Sequence, residues 1–263
     1  MLSDITLGQY FPGTSFIHLL DPRTKIVGTV LFISSIFLAD SYFTYGLLVL
    51  FAVALVGISR VPPRLVVKSL KPLWLIVLIT FLIHLFSTPG AVIAAAGPFS
   101  ITDTGLRQGI LMALRLVLLI AVSSLLTFTT SPIVLTDGIE RLLNPFKRIG
   151  VPAHELAMMM TIALRFIPTL IEETDRIMKA QIARGAEFSS GSLLKRARNM
   201  IPLLVPLFVS AFRRADELAT AMEARCYRGG DNRTRMKELR LAGRDALAMA
   251  ALLALILVLA WLR

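Results

Sequence analysis

The sequence predicts an all-α, polytopic membrane protein with about five transmembrane helices and a large cytoplasmic block of long helices. Three observations predict it. Hydrophobic residues make up 56% of the 263 residues and charged residues only 17%, with a mean hydropathy of +0.73; a soluble domain carries about a quarter charged residues. Several stretches approach the roughly 20 apolar residues that one bilayer crossing needs. The net charge is +11, and beside so much apolar sequence it points to a basic cytoplasmic part rather than to nucleic-acid binding. Disorder, a disulfide scaffold and an ordinary cytosolic enzyme are excluded. The lone Cys226 excludes an internal disulfide and a multi-cysteine metal site.

The expected spans follow in order. Ile26–Ala39 and Phe43–Ile58 form one apolar stretch broken by Asp40-Ser41, too long for one crossing and suited to a tight hairpin. Leu73–Ser87 is the third span and is short, so that Lys71 would have to snorkel. Leu106–Phe128 is the fourth, and the almost purely aliphatic Ala246–Leu262 the fifth. The first span is well punctuated. Asp21 can cap it, Pro22 suits the first helical position, and Arg23 and Lys25 anchor its cytoplasmic edge. Asp4 and Asp21, with no basic n-region and no apolar run before Ile17, argue against a signal peptide. Arg23 and Lys25, then Arg60, Arg64, Lys68 and Lys71, alternate with loops free of Lys and Arg at Asp40-Ser41 and Thr88–Thr104. By the positive-inside rule this predicts a cytoplasmic N-terminus and an outer C-terminus.

The expected organisation is transmembrane helices over 1–130, a cytoplasmic helical region over 131–244 and a final span over 245–263. Glu140–Arg244 holds 19 Lys/Arg against 11 Asp/Glu, too many charges for lipid. Ser131 and Pro132 can start an amphipathic helix that Asn144-Pro145 and Gly150 end. A second helix runs from Val151-Pro152 to Arg184, about 48 Å at 1.5 Å per residue, with Pro168 kinking it. A third is expected from near Ser192 to Arg225, bent by Pro202 and Pro206.

The two long helices are expected to finish alike. Ala183-Arg184-Gly185 closes one and Ala224-Arg225-Cys226 the other. One such end serves the helix dipole and the helix stop. Two of them on similar helices point to docking, because the rigid guanidinium fork suits carboxylates and carbonyls. An interface anchor of this kind contributes roughly 2–4 kcal/mol. Met158, Met159 and Met160 fit either ordinary packing or an adaptable surface. Arg115 lies inside the fourth span, where a charge has a partner or snorkels, with Arg107 nearer the edge. His84 reads as a packing histidine. Glu172, Glu173 and Asp175, beside Arg176 and Lys179, read as a solvated, ion-paired face. The sequence has no metal-ligand spacing and no phosphate loop. An integral membrane enzyme is a weaker alternative, because it needs two acidic residues side by side near the membrane face, and Asp40 and Asp103 fall on the expected outer side far apart in sequence.

The residues also resemble a known family, the EcfT/CbiQ transmembrane coupling subunits of energy-coupling factor (ECF) transporters. The resemblance rests on Gly8-Gln9-Tyr10-Phe11-Pro12-Gly13-Thr14-Ser15, His18, Leu20-Asp21-Pro22-Arg23-Thr24-Lys25, Ala163-Leu164-Arg165-Phe166-Ile167-Pro168, Gln181–Gly185 and Ala221–Tyr227, nearly the whole chain in order. It implies a non-catalytic subunit of an ATP-driven uptake system for vitamins or micronutrients in the cell membrane. The implied partners are two ABC-type ATPases, which bind the ATP, and a membrane-embedded substrate-binding (S) subunit. The coupling subunit itself holds no cofactor. The resemblance further implies that Arg184 and Arg225 sit at the ATPase contacts and that Arg165 and Pro168 belong to a coupling helix. Cys226 departs from the glycine common at that position, and Cys reaches positive φ less freely. The N-terminal signature is most similar to shared-module EcfT subunits, with a dedicated cobalt/nickel or biotin subunit as the alternative.

Overall fold

The computed structural model describes residues 9–96, 99–186, 188, 192, 194, 198–230 and 239–262. Helices α1 (Pro22–Leu38), α2 (Tyr42–Ser59), α3 (Pro63–Leu70) and α4 (Trp74–Ser87) come first, with a 3-10 turn, Lys71–Leu73, joining α3 to α4. A small antiparallel hairpin, β1 (Val92–Ala96) and β2 (Phe99–Thr102), leads into α5 (Asp103–Thr129). Then come α6 (Pro132–Leu143), a 3-10 segment (Asn144–Ile149), α7 (Ala153–Ala183), α8 (Ile201–Ala224) and α9 (Gly243–Trp261). The chain divides into two compact units, Gly8–Ile139 with Lys237–Arg263, and Glu140–Met236.

In the first unit α1, α2, α5 and α9 bury Phe32, Ile36, Tyr45, Leu48, Val122 and Leu259 between them. Their other faces expose large apolar side chains such as Val30, Phe37, Leu50 and Leu257, as helices that are apolar all round do when lipid surrounds them. Asp21 caps α1 as its sequence position predicts, accepting from the Arg23 N–H at 2.9 Å. Its own N–H donates to Asp245 Oδ1 at 2.8 Å, and Asp245 Oδ2 accepts from Ala242 N–H at 2.8 Å, so one buried carboxylate joins the starts of α1 and α9. Lys25, expected at the edge of the first span, lies in the first turn of α1 and is buried within the protein; its Nζ donates to the carbonyls of His18 (3.1 Å) and Thr129 (3.0 Å) and to Thr130 Oγ1 (3.3 Å). The Thr129 carbonyl is one that the end of α5 leaves open, so the ammonium satisfies it.

Among the described residues, five helical stretches are long and apolar enough to cross a membrane: Tyr42–Ser59, Pro63–Ser87, Asp103–Thr129, Ala153–Ala183 and Gly243–Trp261. Three of these contain the second to fourth spans predicted from sequence, and Gly243–Trp261 covers the fifth to within one residue; two points differ. The third span is not short. The Pro- and Lys-containing stretch before it is helical, so α3, the 3-10 turn and α4 supply 25 residues. The predicted first span corresponds to α1, 17 residues or about 26 Å at 1.5 Å per residue, while α7 has the required length and apolarity although the sequence places it outside the bilayer. The hairpin β1–β2 is a small departure from all-α expectation within the Thr88–Thr104 loop.

In the second unit α7 runs 31 residues without a break through Pro168. The onset expected for the third long helix near Ser192 lies partly outside the described residues. The described helix α8 begins at Ile201, so Pro202 stands in its first turn rather than bending it; only Pro206 is interior. The first turn tolerates proline because its N–H groups have no intrahelical acceptor.

Two arginine-capped helix ends as a candidate docking site

Both candidate ends finish in the same hydrogen-bonded cap. At α7, Gly185 N–H donates to Ile182 O at 2.9 Å and Ala186 N–H reaches back to Gln181 O at 3.0 Å. At α8, Cys226 N–H donates to Glu223 O at 2.9 Å and Tyr227 N–H to Met222 O at 3.0 Å. Each is a Schellman motif, in which two nested bonds satisfy carbonyls that a helix end leaves open. The arginine is the cap residue in both, at φ −88°, ψ 4° for Arg184 and φ −92°, ψ 14° for Arg225. The residue after it is left-handed in both, Gly185 at φ 88° and Cys226 at φ 56°. Cys226 therefore adopts the backbone that glycine adopts at its counterpart. Ala183, Arg184, Gly185, Ala224, Arg225 and Cys226 are all exposed, so small neighbours flank each guanidinium and leave room for a partner.

The two ends lie far apart. Glu173 of α7 accepts from Arg214 Nη2 of α8 at 2.7 Å and from the Ser210 hydroxyl. Gln181 Nε2 donates to Pro202 O at 3.4 Å, and Tyr227 contacts His154. Later residues of α7 thus meet earlier residues of α8, so the helices run antiparallel. Arg184 and Arg225 stand at opposite ends of the pair, roughly 35–45 Å apart given 1.5 Å per helical residue. The Ser210 hydrogen bond, reinforced against partial burial by Arg214, holds the Glu173 carboxyl below its ordinary range. Of the acidic face expected to be solvated, Asp175 pairs with Lys179 at 2.6 Å in its own helix, but Glu173 turns to α8 and clamps the pair.

The α8 end has a brace that sequence reasoning missed. His154 Nδ1 lies 3.0 Å from Glu140 Oε1, and its Nε2 lies 3.4 Å from Tyr227 Oη. Gly230 packs so closely on the imidazole that a Cβ there would stand 2.5 Å from it. Tyr227 already belonged to the stretch holding Arg225. Its link to His154, 73 residues away, leaves no local trace.

Other candidates separate by position. Arg165 and Pro168 are exposed on α7. Arg115 belongs to the other unit, where its Nε donates to Tyr45 Oη at 3.0 Å and its guanidinium stacks over the Phe37 ring at 5.2 Å. It has partners within the bundle, so snorkelling is unnecessary. Arg107 stacks over Tyr42 at 5.5 Å. His84 Nδ1 bonds the Thr80 carbonyl of its own helix at 2.9 Å, a packing role.

Comparison with known proteins agrees along the chain. The CbiQ family, described as cobalt transport protein, matches residues 13–236. The energy-coupling factor transporter transmembrane protein EcfT of Acidaminococcus fermentans is 61% identical over 263 residues, covering 100% of this chain and 98% of its own. The protein of that name from Thermosediminibacter oceani is 58% identical over 95% of this chain and 94% of its own. That of Bacillus subtilis is 52% identical over the whole of both chains. With a family match over most of its length and relatives aligned from end to end, the chain belongs to the CbiQ family, the family of energy-coupling factor transporter transmembrane proteins.

Proposed function

We propose that this chain is the transmembrane coupling component of an ECF-type ABC transporter, and that Arg184 and Arg225 dock it onto two cytoplasmic ATPases. The observation that carries this reading is the pair of matched arginine caps at opposite ends of an antiparallel helix pair. One partner protein of ordinary size would not need two identical anchors roughly 35–45 Å apart along helices rising 1.5 Å per residue; two copies of one partner would. The chain is a non-catalytic subunit in this reading, with ATP bound by the ATPases, since no phosphate loop occurs in the sequence. The α7–α8 pair lies on the cytoplasmic side, where the positive-inside rule puts the 19 Lys/Arg of Glu140–Arg244. A membrane-embedded substrate-binding subunit completes the complex and takes up a vitamin or micronutrient. The EcfT names of the end-to-end relatives favour this over a dedicated cobalt/nickel or biotin subunit.

Co-purification with the two ATPases tests the docking. Arg184→Ala and Arg225→Ala are each expected to weaken the complex by roughly tenfold or more, since interface anchors carry about 2 kcal/mol or above. The double variant is expected to abolish ATP-driven uptake while membrane insertion and helix content persist. Undiminished uptake by the double variant refutes the docking role.

A further inference from the structure

Helices α3, α4 and α5 enclose an open groove of about 1090 Å³ with a cationic end and an apolar length. Arg64, Lys68 and Lys71 stand at the cationic end, all exposed. Their spacing of four and three residues puts them on one face of α3 and its 3-10 continuation. The opposite face of α3 is buried through Val66, so the cations are held outward by packing. Among the described residues none of the three has an ion pair, and the sequence contains no Asp or Glu between Asp40 and Asp103. The apolar length is walled by Val67, Trp74 and Phe81 and floored by Val117 of α5. Trp74 is 59% exposed and Val67 65%. Both walls are stretches long and apolar enough to span the bilayer.

We propose that this groove is a binding site for an anionic phospholipid. The headgroup phosphate sits among Arg64, Lys68 and Lys71, and an acyl chain lies along Trp74 and Phe81 between α4 and α5. Charge complementarity identifies the occupant. A neutral lipid leaves three cations without a counter-charge, and a soluble anion leaves the apolar length uncovered. A phospholipid with net negative charge answers both, each nearby Lys or Arg adding favourable electrostatics at an anionic surface. Trp74 stands at the junction between cations and apolar wall, the place an indole takes at a membrane interface.

The chain has two tryptophans, so a Trp261→Phe background leaves Trp74 as the single reporter. The full chain is reconstituted in phosphatidylcholine vesicles, and Trp74 quenching by bromoacyl phosphatidylglycerol is compared with quenching by bromoacyl phosphatidylcholine. Phosphatidylglycerol is expected to be preferred by roughly threefold or more, given three cations near an anionic headgroup. The preference should shrink with added salt, vanish in Arg64→Gln/Lys68→Gln/Lys71→Gln, and survive in the charge-conserving Arg64→Lys/Lys68→Arg/Lys71→Arg. Equal quenching by the two lipids, or an undiminished preference in the Gln variant, overturns the proposal. So does loss of the preference on adding inorganic phosphate where chloride at equal ionic strength leaves it, which would make this a soluble-anion site. Loss of quenching by both lipids in the assembled complex also overturns it, because the groove would then be a subunit interface.

Discussion

At the scale of single residues, Cys226 shows what the second cap demands. A side chain at φ 56° meets steric resistance of about 1–2 kcal/mol relative to right-handed backbone, yet the two nested bonds at Cys226 and Tyr227 match those at Gly185 and Ala186. The backbone conformation is therefore the constant feature, with glycine and a small thiol as two ways to fill it. Cys226→Gly is expected to keep or raise the melting temperature of the purified chain and to retain the proposed ATPase partners. Cys226→Val adds a β-branched side chain where φ is positive, which costs about 1–3 kcal/mol, and is expected to lower the melting temperature and loosen the ATPase on the Arg225 side. Equal behaviour of the Gly and Val variants would show that the cap does not set the position of Arg225. The paired arginines were legible because small residues flank them on both helices, and Asp21 with Pro22 because capping is local. Asp245, Glu140 and His154 were not legible. Each acts on a residue of another element, and a carboxylate near a helix end or an imidazole in a first turn looks the same whether or not it holds a second element.

At the scale of elements, α4 and α5 meet through missing side chains. Gly105 and Gly109 stand one turn apart on α5. A Cβ at Gly105 would come within 2.8 Å of the His84 carbonyl oxygen, and one at Gly109 within 3.1 Å of the Phe81 carbonyl oxygen. Small residues four apart allow spanning helices to approach closely, where packing rather than the hydrophobic effect drives association. Gly109→Leu is expected to push α4 from α5 and to cost about 1–3 kcal/mol, the usual range for overpacking, read as a lower detergent-melting temperature. Gly46→Leu on α2, where nothing lies within 4 Å of the added Cβ, should change little. Equal losses in the two variants would remove the close approach as the cause. The span itself was legible only in part. Its apolar residues begin at Leu73 in a reading by hydropathy, but helical backbone begins at Pro63, because α3 buries Val66 and half-buries Leu65 on one face and sends its cations out on the other. The α7–α8 pair shows the same limit. Length and periodicity announced two long helices, but their antiparallel pairing depends on Glu173 reaching Ser210 and Arg214.

At the scale of the whole molecule, the number of crossings decides where α7 and α8 can act. If α1, α2, α3–α4, α5 and α9 cross, the chain ends on opposite sides of the membrane, and everything between α5 and α9 stays on one side. If α7 crosses as well, the two segments flanking it are separated by the bilayer. Length and apolarity allow α7 to cross, but its composition weighs against this. It carries Arg165 and, from Glu172 to Lys179, five further charged residues; each charge at the centre of a spanning helix costs roughly 2.5–3.5 kcal/mol on insertion scales. Helix α1, although 17 residues long, has no charge beyond Lys25 and lies within the range of about 17–25 residues that spanning helices occupy. Single reporter cysteines in a Cys226→Gly background distinguish the two arrangements. A membrane-impermeant maleimide applied to intact cells should label Ala91→Cys, between α4 and β1. It should reach Lys147→Cys and Ala186→Cys, on either side of α7, only after the membrane is permeabilised. If those two positions instead respond from opposite sides, α7 lies in the bilayer, Arg184 and the segment before α7 do not share a compartment, and the docking arrangement cannot stand.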